Sequence, residues 1–316
     1  MEVSIIVPVF NEAQSLPVLH QKIHDAMDQV TVEWEVIYVD DGSQDDSLNA
    51  LEALASGDKP HTRVLSFRRN FGQTTAISAG IDHSTGAVIV LIDADLQNDP
   101  ADIPKLLTKI DEGYDLVSGW RVSRQDAYVT RTFPSKVANG LISKVTGVKL
   151  HDYGCTLKAY RREVLTGFRL YGEMHRFIPA YASSVGAKIV EVPVQHHPRK
   201  YGKAKYGLER TLKVTLDLFT VKYLISYSQK PIYIFGTVGV GLIMLSILDV
   251  IYLVIRRFTI GEHMIRSPLL QMGTMLFVMG FNSILLGLIA EQVMRTYHEA
   301  QSKPTYTLRR KINLQD

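Results

Sequence analysis

From Val3 to about residue 120, short β-branched runs alternate with segments whose apolar positions recur at helical spacing. The runs VSIIVPVF, EVIYVD, RVLSF, AVIVLID and YDLVSG read as strands, with helices expected over 12–29, 45–55, 73–84 and 101–112. Such alternation marks βαβ units, so the chain is expected to build an α/β domain on a mostly parallel, Rossmann-like sheet. The opening MEVSIIVPVFNE has Glu2 where a signal peptide carries positive charge, and Pro8 interrupts its apolar run. It reads as a first strand rather than a targeting segment. Residues 121–207 are more polar and irregular and read as the second half of the same domain, bounded at 1–207.

The pattern changes after that boundary. Leu208, Leu212, Leu216, Phe219 and Tyr223 recur at helical spacing among Arg210, Lys213, Lys222 and Lys230, which suits amphipathic juxtamembrane helices over 208–231 lying in a bilayer interface. A packed helix of the domain accounts equally well for the first half of this stretch. Residues 232–255 then carry one charge, Asp249, and residues 268–290 carry none. Each run reaches roughly 35 Å, beyond the roughly 30 Å hydrocarbon core of a bilayer, so a hairpin of two transmembrane helices is expected. Lys and Arg number four over 210–231 and five over 291–311, against three in the connecting loop. By the positive-inside rule the N-terminal domain, the 291–316 tail and both termini are expected to face the cytoplasm of an inner or plasma membrane. Gly236, Gly239 and Gly241 permit close helix packing, and a homo-oligomer is expected on that ground.

Composition narrows the partners. With 46% hydrophobic and 21% charged residues the chain is neither disordered nor fibrous. A net charge of +3, without basic residues interleaved with aromatics, excludes nucleic acid as the expected partner. The single cysteine, Cys155, cannot form an internal disulfide, so nothing asks for an oxidising compartment.

Three polar motifs fall where strands end, which is where open α/β sheets bind ligands. LIDADLQND, residues 91–99, sets Asp93 and Asp95 two apart at the end of an apolar strand, where alternation sends both side chains to one side. Carboxylates so placed repel unless a cation joins them, and a hard divalent ion is the natural partner for a diphosphate. The plainer reading is an Asp-rich turn before a helix, with Asp99 and Pro100 as turn residues. VDDGSQDDS, residues 39–47, offers Asp40 and Asp41 as acceptors for a ribose and a base N–H, Gly42 for a tight turn, and Ser43 or Asp45 as a helix cap. VPVFNE, residues 7–12, supplies a Pro–aromatic pair and Glu12 but is weak alone. No G-x-G-x-x-G follows the first strand, which argues against a dinucleotide oxidoreductase. A regulatory or transport subunit is disfavoured because Asp249 is the one charge within two spans.

In this order and spacing, with RNFGQTTAISAG at 69–80, the motifs resemble the family 2 inverting glycosyltransferases of the GT-A fold. The likeness is closest to the polyprenyl-phosphate glycosyltransferases, which include dolichol-phosphate mannose synthase and the bactoprenol glucosyltransferases, and the two-span hairpin points to the latter. The resemblance covers essentially the whole chain. It implies a nucleoside site at Pro8, Phe10, Glu12, Asp41 and Ser43, with Asp40, Asp93 and Ala94 also on the donor side. It implies Mg²⁺ or Mn²⁺ held by Asp93, Asp95 and Gln97, with Asp95 essential to catalysis. The acceptor phosphate falls to Arg121, Arg131, Ser135, Arg199 and Lys205, guanidinium forks matching phosphate oxygens well. Ala204 stands where relatives commonly carry serine. Asp152 resembles the aspartate assigned as catalytic base, yet a lipid phosphate is already ionised near neutral pH, so orienting the acceptor or the transferred sugar, or capping a helix, are the alternatives. The implied reaction is inverting transfer of a sugar, glucose from UDP-glucose by subfamily resemblance, to undecaprenyl phosphate. A UDP-amino sugar or GDP-mannose is the alternative donor.

Overall fold

The computed structural model describes residues 2–122, 139–140, 142–143, 146–165, 174–199, 232–261 and 267–300. Its contacts divide into two compact units, 1–221 and 222–316.

In the first unit the described strands are β1 (Glu2–Val9), β2 (Glu33–Asp40), β3 (Thr62–Ser66), β4 (Val88–Leu91), β5 (Leu116–Arg121), β6 (Lys158–Arg161) and β7 (Ile189–Val194). They form one sheet in the order β3-β2-β1-β4-β6-β5-β7. The five expected strands are present. Within the irregular stretch lie two more, β6 and β7, and β6 runs antiparallel between β4 and β5. Helices fully within the described residues include α1 (Leu16–Met27), α2 (Ser47–Gly57), α3 (Gln73–His83), α4 (Ile103–Asp111), α5 (Arg162–Leu165) and α6 (Ile178–Ser184).

Both faces of the sheet are covered, which is why its central strand is a continuous apolar run rather than an alternating one. Val3, Ile5, Val7 and Val9 of β1 pack with Leu16, Leu19, Ile23 and Met27 of α1 and with Ile103, Leu106, Leu107 and Ile110 of α4. Ile6 points the other way, into a second core with Ile77 of α3 and Ile178 and Ala182 of α6. Pro8 sits in this interior strand without breaking it. The Ile92 amide donates to the Ile6 carbonyl, so the even residues of β1 address the β4 side, and β4 stops at Leu91, before any strand partner would need a Pro8 amide.

The second unit contains α7 (Ile232–Ile260) and α8 (Pro268–Ala300), each longer than the expected span. Both are long and apolar enough to cross a membrane, and most of their surface is left uncovered within the unit. They cross at Gly239 and Gly280, where a Cβ on either would lie 2.6 or 2.7 Å from the other's carbonyl oxygen. The Ser246 hydroxyl donates to the Gly273 carbonyl at 2.7 Å and the Ser283 hydroxyl to the Phe235 carbonyl at 2.8 Å. Of the three glycines noted in α7, Gly239 alone lies at this crossing; Gly236 and Gly241 meet nothing close on α8. The 208–231 segment lies outside the described residues.

Candidate active site

Topology brings the chemistry to one edge. β1, β2, β3 and β4 run parallel, and β5 and β7 run the same way because β6 is antiparallel to both β4 and β5. The carboxyl ends of six strands therefore share an edge with the amino end of β6. Glu12 follows β1, Asp41 and Ser43 follow β2, Asp93 and Asp95 follow β4, Arg121 ends β5, Arg199 follows β7, and Asp152 and Thr156 lead into β6. The order reverses between β1 and β4, the crevice where such sheets bind ligands.

The loops after β1 and β2 are stitched together. The Asn11 amide donates to Ser43 Oγ at 2.9 Å, Gln44 N–H to Asn11 Oδ1 at 2.7 Å, and Glu12 N–H to Ser47 Oγ at 2.9 Å. Asp45 accepts from the Ser47 amide at 3.0 Å, but the helix N-cap is Asp46, without a side-chain cap, so neither Ser43 nor Asp45 is the cap residue. The two aspartates expected to meet the nucleoside also serve the protein's own loops. Asp40 accepts from the Ser43 amide at 3.1 Å and the Ser66 hydroxyl at 2.9 Å. Asp41 accepts from the amides of Phe71 at 2.7 Å and Gly72 at 3.0 Å, fixing the 69–72 segment beside the crevice. Burial pushes the Asp41 carboxyl above its ordinary range, the charge of Asp40 adds to this, and the two amides only partly offset it. Gly42, which follows the two aspartates, has φ +67°, and a Cβ there would lie 2.4 Å from the Arg69 carbonyl carbon. The tight turn thus has a steric reason to be glycine.

Asp93 and Asp95 are arranged by a turn, not by strand pleating, because β4 ends at Leu91. Leu96 within this turn has φ +61°. Asp93 is clamped on both oxygens, accepting from Gln73 Nε2 at 2.7 Å and Thr156 Oγ1 at 2.6 Å. Asp95 Oδ1 accepts from the Gln97 amide at 3.1 Å, and Oδ2 from Arg199 Nη2 at 2.9 Å. The Arg199 guanidinium also stands 3.5 Å from Glu12 Oε1. Burial opposes its charge, but the Asp95 hydrogen bond and the charges of Asp95, Glu12 and Asp93 prevail, so its pKa is raised. Arg199, expected on the acceptor phosphate, is therefore paired with the acids expected to hold metal. Ala94 is buried, and its methyl packs in the core cluster below the two aspartates' turn. Asp99 behaves as the plainer reading has it, its side chain accepting from the Ala101 amide at 3.2 Å before the short helical turn Pro100–Asp102.

Arg121 and Asp152 are also brought together, with each other. Arg121 Nε donates to Asp152 Oδ2 at 2.6 Å and Nη2 to Oδ1 at 2.9 Å, and both side chains are largely buried. Glu191 of β7 supports the same loop by accepting from the His151 amide at 2.8 Å, and His151 stacks on Trp120 with centroids 4.4 Å apart. Sequence reasoning missed Thr156, Gln73 and Glu191. Arg131, Ser135 and Lys205 lie outside the described residues.

One further group of ligand types, His20, His24 and Asp58, has ligand atoms within 4.8 Å of one another. It lies toward the other end of the sheet and is internally satisfied: His24 Nε2 meets Asp58 Oδ2 at 3.1 Å, His20 Nδ1 meets the Tyr38 hydroxyl at 3.2 Å, and Thr62 donates to Asp58 at 2.7 Å.

A doubly covered, mostly parallel sheet places this acid-lined crevice at its switch point, where open α/β sheets bind ligands. Residues 4–168 match the Glycosyl transferase family 2 model, and the chain belongs to that family. It is 41% identical over 98% of its length, and 92% of the other's, to a dodecaprenyl-phosphate galacturonate synthase of Rhizobium johnstonii. It is 37% identical over 96% of its length, and 90% of the other's, to an undecaprenyl-phosphate 4-deoxy-4-formamido-L-arabinose transferase of Shewanella sediminis. The fold resembles crystal structures of glucosyl-3-phosphoglycerate synthase from Mycobacterium tuberculosis. One, at TM-score 0.51 and 22% identity, covers 71% of this chain and 80% of that one; another, with Mg²⁺ and UDP, scores 0.52 at 20% identity, covering 71% and 79%. The protein is a glycosyltransferase, and the expected kinship with polyprenyl-phosphate enzymes is met in its relatives.

Proposed function

We propose that this chain transfers a sugar from a nucleoside diphosphate to a polyprenyl phosphate at a membrane surface, with inversion at the anomeric carbon. The observation that carries this reading is the convergence of Glu12, Asp93 and Asp95 on a single guanidinium at the sheet's switch point. A site that already gathers one cation among three acids suits a divalent ion, and Asp93 and Asp95 are the residues that would hold it. The fold neighbours crystallised with UDP and Mg²⁺ or Mn²⁺ support that choice. When bound, such an ion supplies charge stabilisation to the departing diphosphate.

The protein's own residues do the positioning. The stitched loops at 10–13 and 40–47 frame the nucleoside, with Phe10 and Pro8 as the apolar wall. Gln73 and Thr156 fix the rotamer of Asp93, a preorganisation that a metal ligand needs. The lipid phosphate is ionised near neutral pH and attacks without a base, so Asp152, held on both oxygens by Arg121, serves to orient that guanidinium toward the acceptor. Arg131, Ser135 and Lys205 complete the acceptor pocket in this reading. The α7–α8 hairpin keeps the site at the bilayer, and the Lys and Arg balance puts the catalytic unit on the cytoplasmic side. Assembly of several copies, expected from the small residues of α7, is part of the same proposal.

The sugar is the finer point. Subfamily resemblance favours glucose, whereas the two relatives act, by their names, on galacturonate and a formamido-arabinose. We place UDP-galacturonate first, ahead of UDP-glucose, the formamido-arabinose donor and GDP-mannose, because that relative shares 41% identity. Purified protein incubated with Mg²⁺, undecaprenyl phosphate and each labelled donor in turn is expected to move label into the lipid extract from one of them. Label from none contradicts the proposal.

A further inference from the structure

Arg199 holds the position that the metal reading needs for its ion. Its Nη2 lies 2.9 Å from Asp95 Oδ2 and 3.5 Å from Glu12 Oε1, and the charge of Asp93 acts on it as well. An arginine stays protonated at any physiological pH, so the pair is always ionic. We propose that Arg199 belongs to the donor site as its resident counter-ion: it offsets part of the acids' negative charge before a nucleotide sugar binds, and the arriving divalent ion displaces it. This rests on the reading of Asp93 and Asp95 as metal ligands given above.

Three observations support displacement rather than a fixed brace. First, the guanidinium and Asp95 are not sealed; their side chains are 23% and 11% exposed. Partly solvated ion pairs are weak and readily exchanged. Second, Asp95 gives Arg199 a single contact, on Oδ2, while its Oδ1 takes the Gln97 amide. That differs from the bidentate lock of Arg121 on Asp152. Third, the backbone leading to Arg199 is strapped to the aspartate loop itself. The Gln195 amide donates to Asp102 Oδ2 at 2.6 Å, Asn98 and His196 form an antiparallel bridge, the His197 amide donates to the Gln97 carbonyl at 2.9 Å, and His197 Nε2 meets Asp99 Oδ2 at 2.9 Å. The main chain thus stays beside the site through His197. A long side chain from a fixed root can leave Asp95 and remain within reach of phosphate oxygens.

The consequence is a charge exchange. Without donor the guanidinium offsets part of the acids' charge, and with donor the ion takes over that role while a freed guanidinium faces the anions at the rim. Arg199 thereby weakens metal binding to the empty site and strengthens phosphate binding to the loaded one.

Mn²⁺ binding to the purified full chain in detergent, followed through loss of the free-ion electron paramagnetic resonance signal, tests this without turnover. Arg199→Ala is expected to bind Mn²⁺ about fivefold tighter than the parent without nucleotide, the scale of removing one partly exposed competing pair. With saturating UDP the gain is expected to vanish or reverse. Arg199→Lys, which keeps the charge, is expected to stay near the parent, and thermal melts of each variant establish that it is folded. Equal or weaker Mn²⁺ binding by folded Arg199→Ala without nucleotide overturns the proposal. Asp95→Asn separates the two readings. If it abolishes Mn²⁺ binding while Arg199→Ala changes nothing, the counter-ion role fails alone; if it leaves Mn²⁺ binding intact, the metal reading fails and takes this inference with it.

Discussion

Arg121 and Asp152 form a two-point ion pair, Nε to Oδ2 at 2.6 Å and Nη2 to Oδ1 at 2.9 Å, at the site edge of β5 and the approach to β6. An aspartate engaged on both oxygens is poorly disposed to take a proton from a substrate. Asp152→Asn is therefore expected to raise KM for the lipid acceptor and lower kcat while leaving the shape of the kcat pH profile unchanged. Disappearance of an acidic limb from that profile would instead identify Asp152 as a base. Because removing one member of a buried pair strands the other, Arg121→Ala is expected to cost about 3–5 kcal/mol of stability, measured by denaturant titration.

Thr156 and Gln73 donate to different oxygens of Asp93, Oδ2 and Oδ1 respectively. Thr156→Val keeps the shape and removes the 2.6 Å hydrogen bond. Loss of such a supporting contact is expected to weaken Mn²⁺ binding in the presence of UDP by roughly tenfold, with little change in melting temperature. Calorimetric titration reads both the metal and the nucleotide. Unchanged Mn²⁺ affinity would mean that Asp93 needs no support, or is no ligand.

Gly42 carries a purely steric prediction. Its φ of +67° and the 2.4 Å approach to the Arg69 carbonyl carbon leave no space for a methyl group. Gly42→Ala is expected to push the 69–72 segment off Asp41 and to weaken UDP binding, at a cost of about 1–3 kcal/mol for the strained backbone. Isothermal titration with UDP, paired with a thermal melt, checks both effects.

Glu35 gives a pH dependence far from the chemistry. Burial favours its neutral form, but hydrogen bonds from Ser4 at 2.6 Å and the Thr85 amide at 2.7 Å, with Arg63 nearby, outweigh burial and lower its pKa from 4.5. A depressed folded pKa means stability that is fully present above 4.5 and is lost as pH falls through the lower folded value. The stability gap between the parent and Glu35→Gln is thus expected to be constant at neutral pH and to shrink below about pH 4.5, as read by denaturant titrations at stepped pH.

Much of this architecture was legible in the residues because burial writes itself as periodicity. β1, β2 and β4 carry apolar runs buried on both faces, and α1 spaces Leu16, Leu19, Ile23 and Met27 along one side. β6 was not legible: it has four residues, KAYR, opens on a buried Lys158, and inserts antiparallel where no local signal marks direction. β7, IVEVPV, carries alternation but sits in a polar neighbourhood that obscured it. The clustering of Glu12, Asp93 and Asp95 could be anticipated from motifs at strand ends. The pairing of Arg199 with Asp95 could not, since it joins residues 104 apart through the strap after β7. Likewise Thr156 meets Asp93 only because β6 returns to the same edge.

A divalent ion and the donor diphosphate are expected at the turn after β4, beside Asp93 and Asp95. Crystals of the protein soaked with Mn²⁺ and UDP, measured at the manganese absorption edge, locate the ion by its anomalous signal. The expected result is one peak within coordination distance of Asp93 and Asp95, with the diphosphate against it and Arg199 turned away from Asp95. A peak elsewhere, or UDP bound with both aspartates untouched, contradicts the account.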